Sequence, residues 1–134
     1  MLLPTSCPVC GAMGPAPCSR CARALEPAPA LGRPPGVDSC VAAFAYAGAG
    51  RELVARLKYR NARVAIPFLA ARMAALVDGA PVDVVTWAPT SAIRRRRRGF
   101  DQARLLARAV ARRAGVPCRS LLRRAPGPAR LGRP

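Results

Sequence analysis

The sequence contains no histidine, only six acidic residues and very few aromatic ones. Aromatic residues make up 4% of the 134 positions, which argues against a stacking platform for the bases of single-stranded nucleic acid. The lack of histidine excludes cysteine–histidine zinc fingers and leaves four cysteines as the conventional zinc ligand set. No run approaches the roughly 18 apolar residues that a membrane-spanning helix needs.

The amino terminus also lacks the features of a secretory signal. Residues 1–13 read MLLPTSCPVCGAM, with neither a charged first region nor a sustained apolar core. We therefore expect a cytoplasmic location, where cysteines are more often metal ligands or buried thiols than disulfides. Cys40 and Cys118 stand apart from the other cysteines, and we expect both to be small buried residues.

Arginine dominates the charged residues. The formal net charge is +17, and Lys58 is the only lysine. Arginine presents a planar set of donors that suits phosphates and carboxylates. Its spread along the chain, together with abundant alanine, glycine and proline, is equally well explained by genomic base composition. Because 51% of the residues are apolar, we expect a folded chain.

Four of the six cysteines form two C-x-x-C pairs, Cys7 with Cys10 and Cys18 with Cys21. Two thiolates three residues apart on a tight turn can face one ion, and two such turns complete a tetrahedron. This pattern predicts a structural Zn²⁺ site whose binding free energy folds a segment with little apolar surface. Two disulfides or a redox-active pair are the alternatives.

Composition divides the chain into four parts. We predict a zinc ribbon at 1–25, a Pro/Gly linker at 26–36, an α/β unit at 37–124 and a mobile tail at 125–134. Within the third part, the patterns predict strands at 39–48 and 82–89 and helices within 50–61, 64–78 and 100–114. Two clear strands are few for a parallel sheet, so this unit is expected to be incomplete.

Five consecutive arginines, residues 94–98, lie between the second predicted strand and the last predicted helix. One interpretation is a nucleic-acid contact, which would depend strongly on salt. A second is a phosphate loop leading into a helix amino terminus, where Asp101 and Gln102 could cap the helix or orient a ligand. A third is a solvated, mobile charge run.

Four segments, in chain order, match a known pattern. They are the two cysteine pairs, YAGAGRELVARLKY at 46–59, VVTWAP at 84–89, and RGFDQA at 98–103 followed by Leu105 and Leu106. In these segments the chain resembles the ComF family, which is phosphoribosyltransferase-like, associated with competence and DNA uptake, and carries an amino-terminal zinc ribbon. The second segment is similar to the family's tyrosine–glycine–arginine–leucine–lysine–tyrosine stretch, and the fourth to its most recognisable signature.

The resemblance implies a type I phosphoribosyltransferase fold that binds phosphoribosyl pyrophosphate with Mg²⁺. Residues 89–99 would then form the pyrophosphate side, with a phosphate-binding set of Arg94, Arg96, Arg98, Gly99, Asp101 and Gln102. The family's later loop, paired acidic residues followed by Thr-Thr-Gly, does not occur in the sequence, and none of the six acidic residues are adjacent. The resemblance thus implies a member truncated before the ribose-phosphate loop and catalytically incomplete alone.

A non-enzymatic alternative remains beside this one. A zinc-containing module could bind single-stranded DNA or another protein of the competence machinery, using the ribbon and the basic segment. A gene fragment without independent function is a further alternative.

Overall fold

The computed structural model describes residues 5–126, and within that range helices account for nearly all regular structure. The five α-helices are α1 (Ser19–Arg23), α2 (Gly48–Tyr59), α3 (Ile66–Ala75), α4 (Ala92–Arg98) and α5 (Gln102–Ala114), with a 3₁₀ turn at Arg63–Ala65 before α3. The β pairing in the described range consists of two isolated bridges, Ser6 with Met13 (antiparallel) and Val85 with Cys118 (parallel).

Helices α2, α3 and α5 form where the apolar periodicity predicts them. In α2, Leu53 and Leu57 lie one turn apart and are fully buried, whereas Glu52 and Arg56 form an ion pair at the same spacing on the exposed side. Pro67 lies in the first turn of α3, where its missing N–H costs no hydrogen bond. These helices therefore follow from local pattern.

Both ends of α5 are closed by local chemistry. Asp101 is the N-cap, and its carboxylate accepts a hydrogen bond from the Arg104 N–H at 3.3 Å. Gly115 closes the carboxyl end in a left-handed conformation at φ 69°, which suits glycine. This helix lies against α3 and buries Ala107, Val110 and their neighbours.

The core joins the helices to the cysteine-rich segment. Its largest cluster consists of Leu53, Leu57, Ala65, Leu69 and Phe100. Val9, which lies between the first two cysteines, packs against this cluster, as do Phe44 and Leu106. The amino-terminal segment and the helical unit therefore share apolar contact.

The predicted α/β architecture is not confirmed, because the described residues are mostly helical. Residues 39–48 do not form the predicted strand, and their last residue, Gly48, begins α2. In the predicted strand 82–89 only Val85 is paired, with the segment around Cys118. A strand forms only where a neighbouring strand pairs with its backbone groups along its length. Between residues 5 and 126, residues 82–89 have such a partner at Val85 alone.

The arginine segment, predicted as a loop, is helix α4. Ser91 caps its first turn by accepting a hydrogen bond from the Arg94 N–H at 3.4 Å, and Gly99 ends it in a left-handed conformation at φ 75°. Arginine is a good helix former, and four of the five side chains are exposed, so water screens their mutual repulsion. The prediction of a mobile loop was wrong because it did not take the caps at Ser91 and Gly99 into account.

The linker, the two separate cysteines and the tail were also predicted from the sequence. The linker 26–36 has no helix or strand, and the Glu26 carbonyl accepts a hydrogen bond from the Ala45 N–H at 2.9 Å. Cys40 and Cys118 are half-buried rather than buried. The expected mobile tail lies mostly outside the described residues. Among residues 5–126, no helix has both the length and the apolarity to cross a bilayer.

Candidate functional site: a cysteine cluster and a basic pocket

The four cysteines of the two C-x-x-C pairs converge. The sulfur atoms of Cys7, Cys10, Cys18 and Cys21 all lie within 4.8 Å of one another, and those of Cys10 and Cys18 are 3.7 Å apart. All four are free thiols, so the disulfide alternative does not describe this structure. The four residues are therefore positioned to bind one metal ion.

Backbone hydrogen bonds shape the first pair into a tight turn. The Gly11 N–H donates to the Cys7 carbonyl at 2.8 Å, and the Cys7 N–H donates to the Ala12 carbonyl at 2.7 Å. Gly11 adopts φ 78°, a left-handed conformation that favours glycine. The bridge between Ser6 and Met13 closes the same turn. Both sulfurs thus face the same side of a short hairpin.

The second pair lies at the start of a short helix. Cys18 is the N-cap of α1, and Cys21 lies inside α1 and is buried. The Ala22 N–H donates to the Cys18 carbonyl at 2.9 Å, which keeps the two residues one helical turn apart. One hairpin turn and one helix start therefore supply two sulfurs each.

Burial and hydrogen bonds within the cluster shift the pKa values of its thiols. Burial alone would raise the pKa of Cys7, but hydrogen bonds from the backbones of Cys18, Cys10 and Val9 lower it to about 6. Burial, followed by hydrogen bonds to the other three thiols, raises the pKa of Cys21 to about 12. Four thiolates this close cannot all ionise without a cation among them, and a divalent metal ion supplies that charge.

Arg20 adds a positive charge at the rim of the cluster. A hydrogen bond with Cys10, together with the nearby charges of Cys10, Cys21 and Cys18, raises the pKa of this guanidinium. The backbone N–H of Ala12 is the main cause that lowers the pKa of Cys10. Arg20 therefore offsets part of the negative charge that four thiolates would place around a divalent ion.

The donor set fits zinc in a structural role. Four thiolate sulfurs satisfy the tetrahedral preference of Zn²⁺ and leave no open position for water or substrate. Soft sulfur ligands disfavour Mg²⁺ and Ca²⁺, which take oxygen. A closed shell of this kind stabilises the surrounding fold and gives the metal no catalytic step.

A second site, which we term the basic pocket, lies between the end of α2 and helix α4. It is open to solvent, has a volume of about 510 Å³, and is lined by Lys58, Tyr59, Asn61, Arg94, Arg97, Arg98 and Phe100. Four of these side chains are cationic and none is acidic, so the lining itself leaves their charge uncompensated. Such a concentration of positive charge favours an anionic ligand.

Aromatic rings hold two guanidinium groups in and beside the basic pocket. The Arg98 guanidinium lies 5.3 Å from the ring centre of Tyr59, and that of Arg63 lies 4.4 Å from the ring centre of Phe100. Contacts of this kind stabilise by roughly 0.5–1 kcal/mol at exposed positions. Arg98 is also half-buried, unlike the other arginines of α4. It is therefore the best-positioned cation of the pocket.

The predicted phosphate residues separate in the structure. Arg94 and Arg98 line the basic pocket, whereas Arg96 does not, because a helix brings residues 94, 97 and 98 to one face. Asp101 caps α5 and accepts a hydrogen bond from the Thr90 hydroxyl at 3.0 Å. Gln102 is buried within α5, and Gly99 is the left-handed residue that ends α4. The phosphate role of this set stays a prediction.

The predicted site did not include five residues that line the basic pocket: Lys58, Tyr59, Asn61, Arg97 and Phe100. The signal for the first two was present, since they end the lysine–tyrosine segment that carries the family resemblance. Arg97 would have followed from helical spacing had the segment been predicted as a helix.

Comparisons with known proteins do not add to this picture: no protein-family model, curated protein or solved structure matches the chain.

Proposed function

We propose that this chain is a zinc-stabilised, ComF-like member of the phosphoribosyltransferase class whose basic pocket binds the diphosphate of phosphoribosyl pyrophosphate. One observation carries the proposal. Lys58 and Tyr59 from one resemblance segment meet Arg98 from another in the same pocket, although 39 positions separate Tyr59 from Arg98 in the sequence. Two family-like motifs therefore contribute side chains to one anion site.

The chemistry of the lining suits a diphosphate. Guanidinium groups bind phosphate oxygens through two parallel hydrogen bonds, whereas the single ammonium of Lys58 acts as a point charge. Arg94, Arg97 and Arg98 project from one face of α4, so they can contact neighbouring phosphates of the same ligand. Tyr59 and Asn61 add polar groups at the side formed by the end of α2.

The same lining limits what the chain can do chemically. The basic pocket has no carboxylate, so its residues do not fit Mg²⁺ as a resident ion, and a metal would enter with the substrate. The arginines would bind and orient the diphosphate and stabilise charge that develops on it as a leaving group. We assign no general base, and we propose that the chain alone is catalytically incomplete.

Titration calorimetry with sodium diphosphate, and with phosphoribosyl pyrophosphate in the presence and absence of Mg²⁺, tests the proposal. Replacing Arg97 with glutamine should weaken diphosphate binding at least about tenfold, because a charge-assisted hydrogen bond contributes roughly 1.5–3 kcal/mol. Arg96→Gln is the matched control, since it removes the same charge from a different face of α4 and should change binding less than threefold. Equal losses in both variants would contradict a localised site.

A non-enzymatic nucleic-acid module is the second candidate, favoured by the remaining faces of α4. Arg95 and Arg96 are exposed outside the basic pocket, and the net charge of +17 attracts any polyanion. This candidate predicts binding to single-stranded DNA that weakens steeply with salt. It also predicts that Arg96→Gln and Arg97→Gln weaken DNA binding by similar factors, the opposite of the diphosphate result.

A further inference from the structure

An unpaired backbone edge lies beside the helical core. Val85 donates its N–H to the Pro117 carbonyl and accepts from the Arg119 N–H, both at 2.9 Å, so its backbone faces residues 117–119. In extended chain the backbone groups of the adjacent residues, Val84 and Thr86, point to the opposite edge. Within residues 5–126 these groups make no backbone hydrogen bond. They form a short open edge that can pair with a strand.

The open edge borders an apolar groove of about 520 Å³. Its lining includes Val84, Val85 and Thr86, apolar side chains of α2, α3 and α5, and residues 41–44. Val41 and Met73, which both line it, are 57% and 40% exposed. An open groove lined almost entirely by apolar side chains can bury the side chains of another molecule. Lys58 is the one charged residue in the lining.

A buried polar atom in the same lining lacks a partner. Gln102 is 8% exposed, and among the described residues its Oε1 accepts no hydrogen bond. An unsatisfied buried carbonyl of this kind costs roughly 1–3 kcal/mol. The groove therefore presents apolar surface, an unpaired backbone edge and an unsatisfied acceptor together.

We infer that the groove is a docking surface for an extended, apolar β-strand from a different, acidic polypeptide, which pairs with the open edge at residues 84–86. A strand supplies backbone donors and acceptors as well as alternating apolar side chains, whereas a helix satisfies its own backbone groups. The acyl chains of a lipid offer no N–H donor for the edge or for Gln102.

The net charge of the chain favours a different polypeptide over a second copy as the occupant of the groove. Each copy carries a formal charge of +17, so two copies repel one another at ordinary salt. A partner strand flanked by acidic residues is attracted instead, and Lys58 in the groove lining pairs with such a flank. Complementary charge therefore favours an acidic partner over self-association.

A synthetic peptide tests the inference with the whole chain. The probe is acetyl-Glu-Val-Thr-Val-Thr-Val-Glu-amide, labelled for fluorescence anisotropy. Its comparison peptide has the same side chains and charges but carries an N-methyl group on every residue's backbone nitrogen, which removes the N–H donors from both edges of the strand. We expect the N-methylated peptide to bind at least about tenfold more weakly, because each backbone hydrogen bond that pairs the strand is lost.

Two groove variants and one control localise the binding. Val41→Asp and Met73→Asp place a charge on exposed positions of the lining and should each weaken the peptide about tenfold. Ile93→Asp is the control, because Ile93 is 72% exposed on α4 and lies outside the groove lining. It should leave peptide affinity unchanged.

Four results would overturn the inference. The first is equal binding of the two peptides, which would indicate an apolar surface without strand pairing. The second is equal loss in Ile93→Asp, which would indicate general charge effects. Dimerisation in analytical ultracentrifugation that Val41→Asp abolishes would identify a second copy as the occupant. Tighter peptide binding after deletion of residues 127–134 would identify the chain's own end. None of these results depends on diphosphate binding, so the two proposals fail separately.

Discussion

Removing the metal should unfold the cysteine-rich segment while the helices persist. Residues 5–25 bury Cys7, Pro17 and Cys21 but contain no apolar core of their own. We therefore expect the free energy of metal binding to order these residues, and chelation to remove that free energy. The helical unit has its own core around Leu53 and Leu57, which does not include the thiols.

The free energy of unfolding that the helical unit loses on metal removal follows from one packing contact. Val9 is the residue of the metal-binding turn that packs against the main core cluster. A fully buried valine contributes roughly 1.5–3 kcal/mol, and Val9 is half-buried, so its loss should cost about 1 kcal/mol. For a unit of about 100 residues this lowers the melting temperature by roughly 4–8 °C.

The assay combines metal analysis with two spectroscopic measurements. The purified chain should hold about one zinc ion per chain, as expected for one closed four-thiolate site. After chelation, far-ultraviolet circular dichroism should keep the helical signal of α2, α3 and α5 with the lower melting temperature given above. Amide NMR signals of residues 5–25 should collapse to disordered positions.

Cysteine variants provide the matched comparison. Cys10→Ser removes one ligand of the cluster and should reproduce the chelated state, including the loss of bound zinc. Cys40→Ser removes a half-buried thiol outside the cluster and should retain the metal. The reasoning is refuted if residues 5–25 stay folded without metal, or if the helical signal disappears together with it.

Two further predictions concern the helical unit, both measured by urea unfolding. Gly50→Ala should destabilise by about 1–3 kcal/mol, since an added Cβ would lie 2.6 Å from the Ala45 carbonyl oxygen and 2.8 Å from the Phe44 ring; an unchanged midpoint would mean that this contact relaxes freely. Asp101→Ala should cost about 1 kcal/mol through loss of the α5 cap, whereas Asp101→Asn keeps the cap and should cost less than half of that; equal losses would assign the effect to charge.

Sequence reasoning predicted the metal cluster because its geometry is local. Two thiols three residues apart need only a tight turn or a helix start, and Gly11 and the start of α1 provide these. Helices α2, α3 and α5 were predictable for the same reason, since the burial of Leu53, Leu57 and Val110 follows the helical period. Each of these features is specified within a few residues of chain.

The arginine helix was missed although its signals were also local. Repulsion among five like charges suggested a mobile loop, but Ser91 and Gly99 are ordinary helix boundary residues placed at the two ends of the run. Side chains exposed to water repel one another weakly because the solvent screens them. Helix propensity and capping therefore outweighed the repulsion among the five arginines.

The sequence could not show that the two predicted strands would not form, because strand pairing depends on distant segments of the chain. The apolar run 39–48 reads equally well as a buried strand or as irregular packing, and only a neighbouring edge decides between them. The segment that pairs with Val85, around Cys118, lies more than 30 residues away and has no marked strand pattern. The basic pocket likewise combines Lys58 with arginines of α4, a proximity that only the fold creates.

Lys58 gives the basic pocket a chemical property of its own. It is the only lysine of the chain, it is half-buried, and it lines both the basic pocket and the neighbouring apolar groove. Apart from the terminal amine, an amine-reactive dye has a single place to attach. One labelling step therefore installs a reporter between the two surfaces without any engineered cysteine, and leaves the metal-binding thiols untouched.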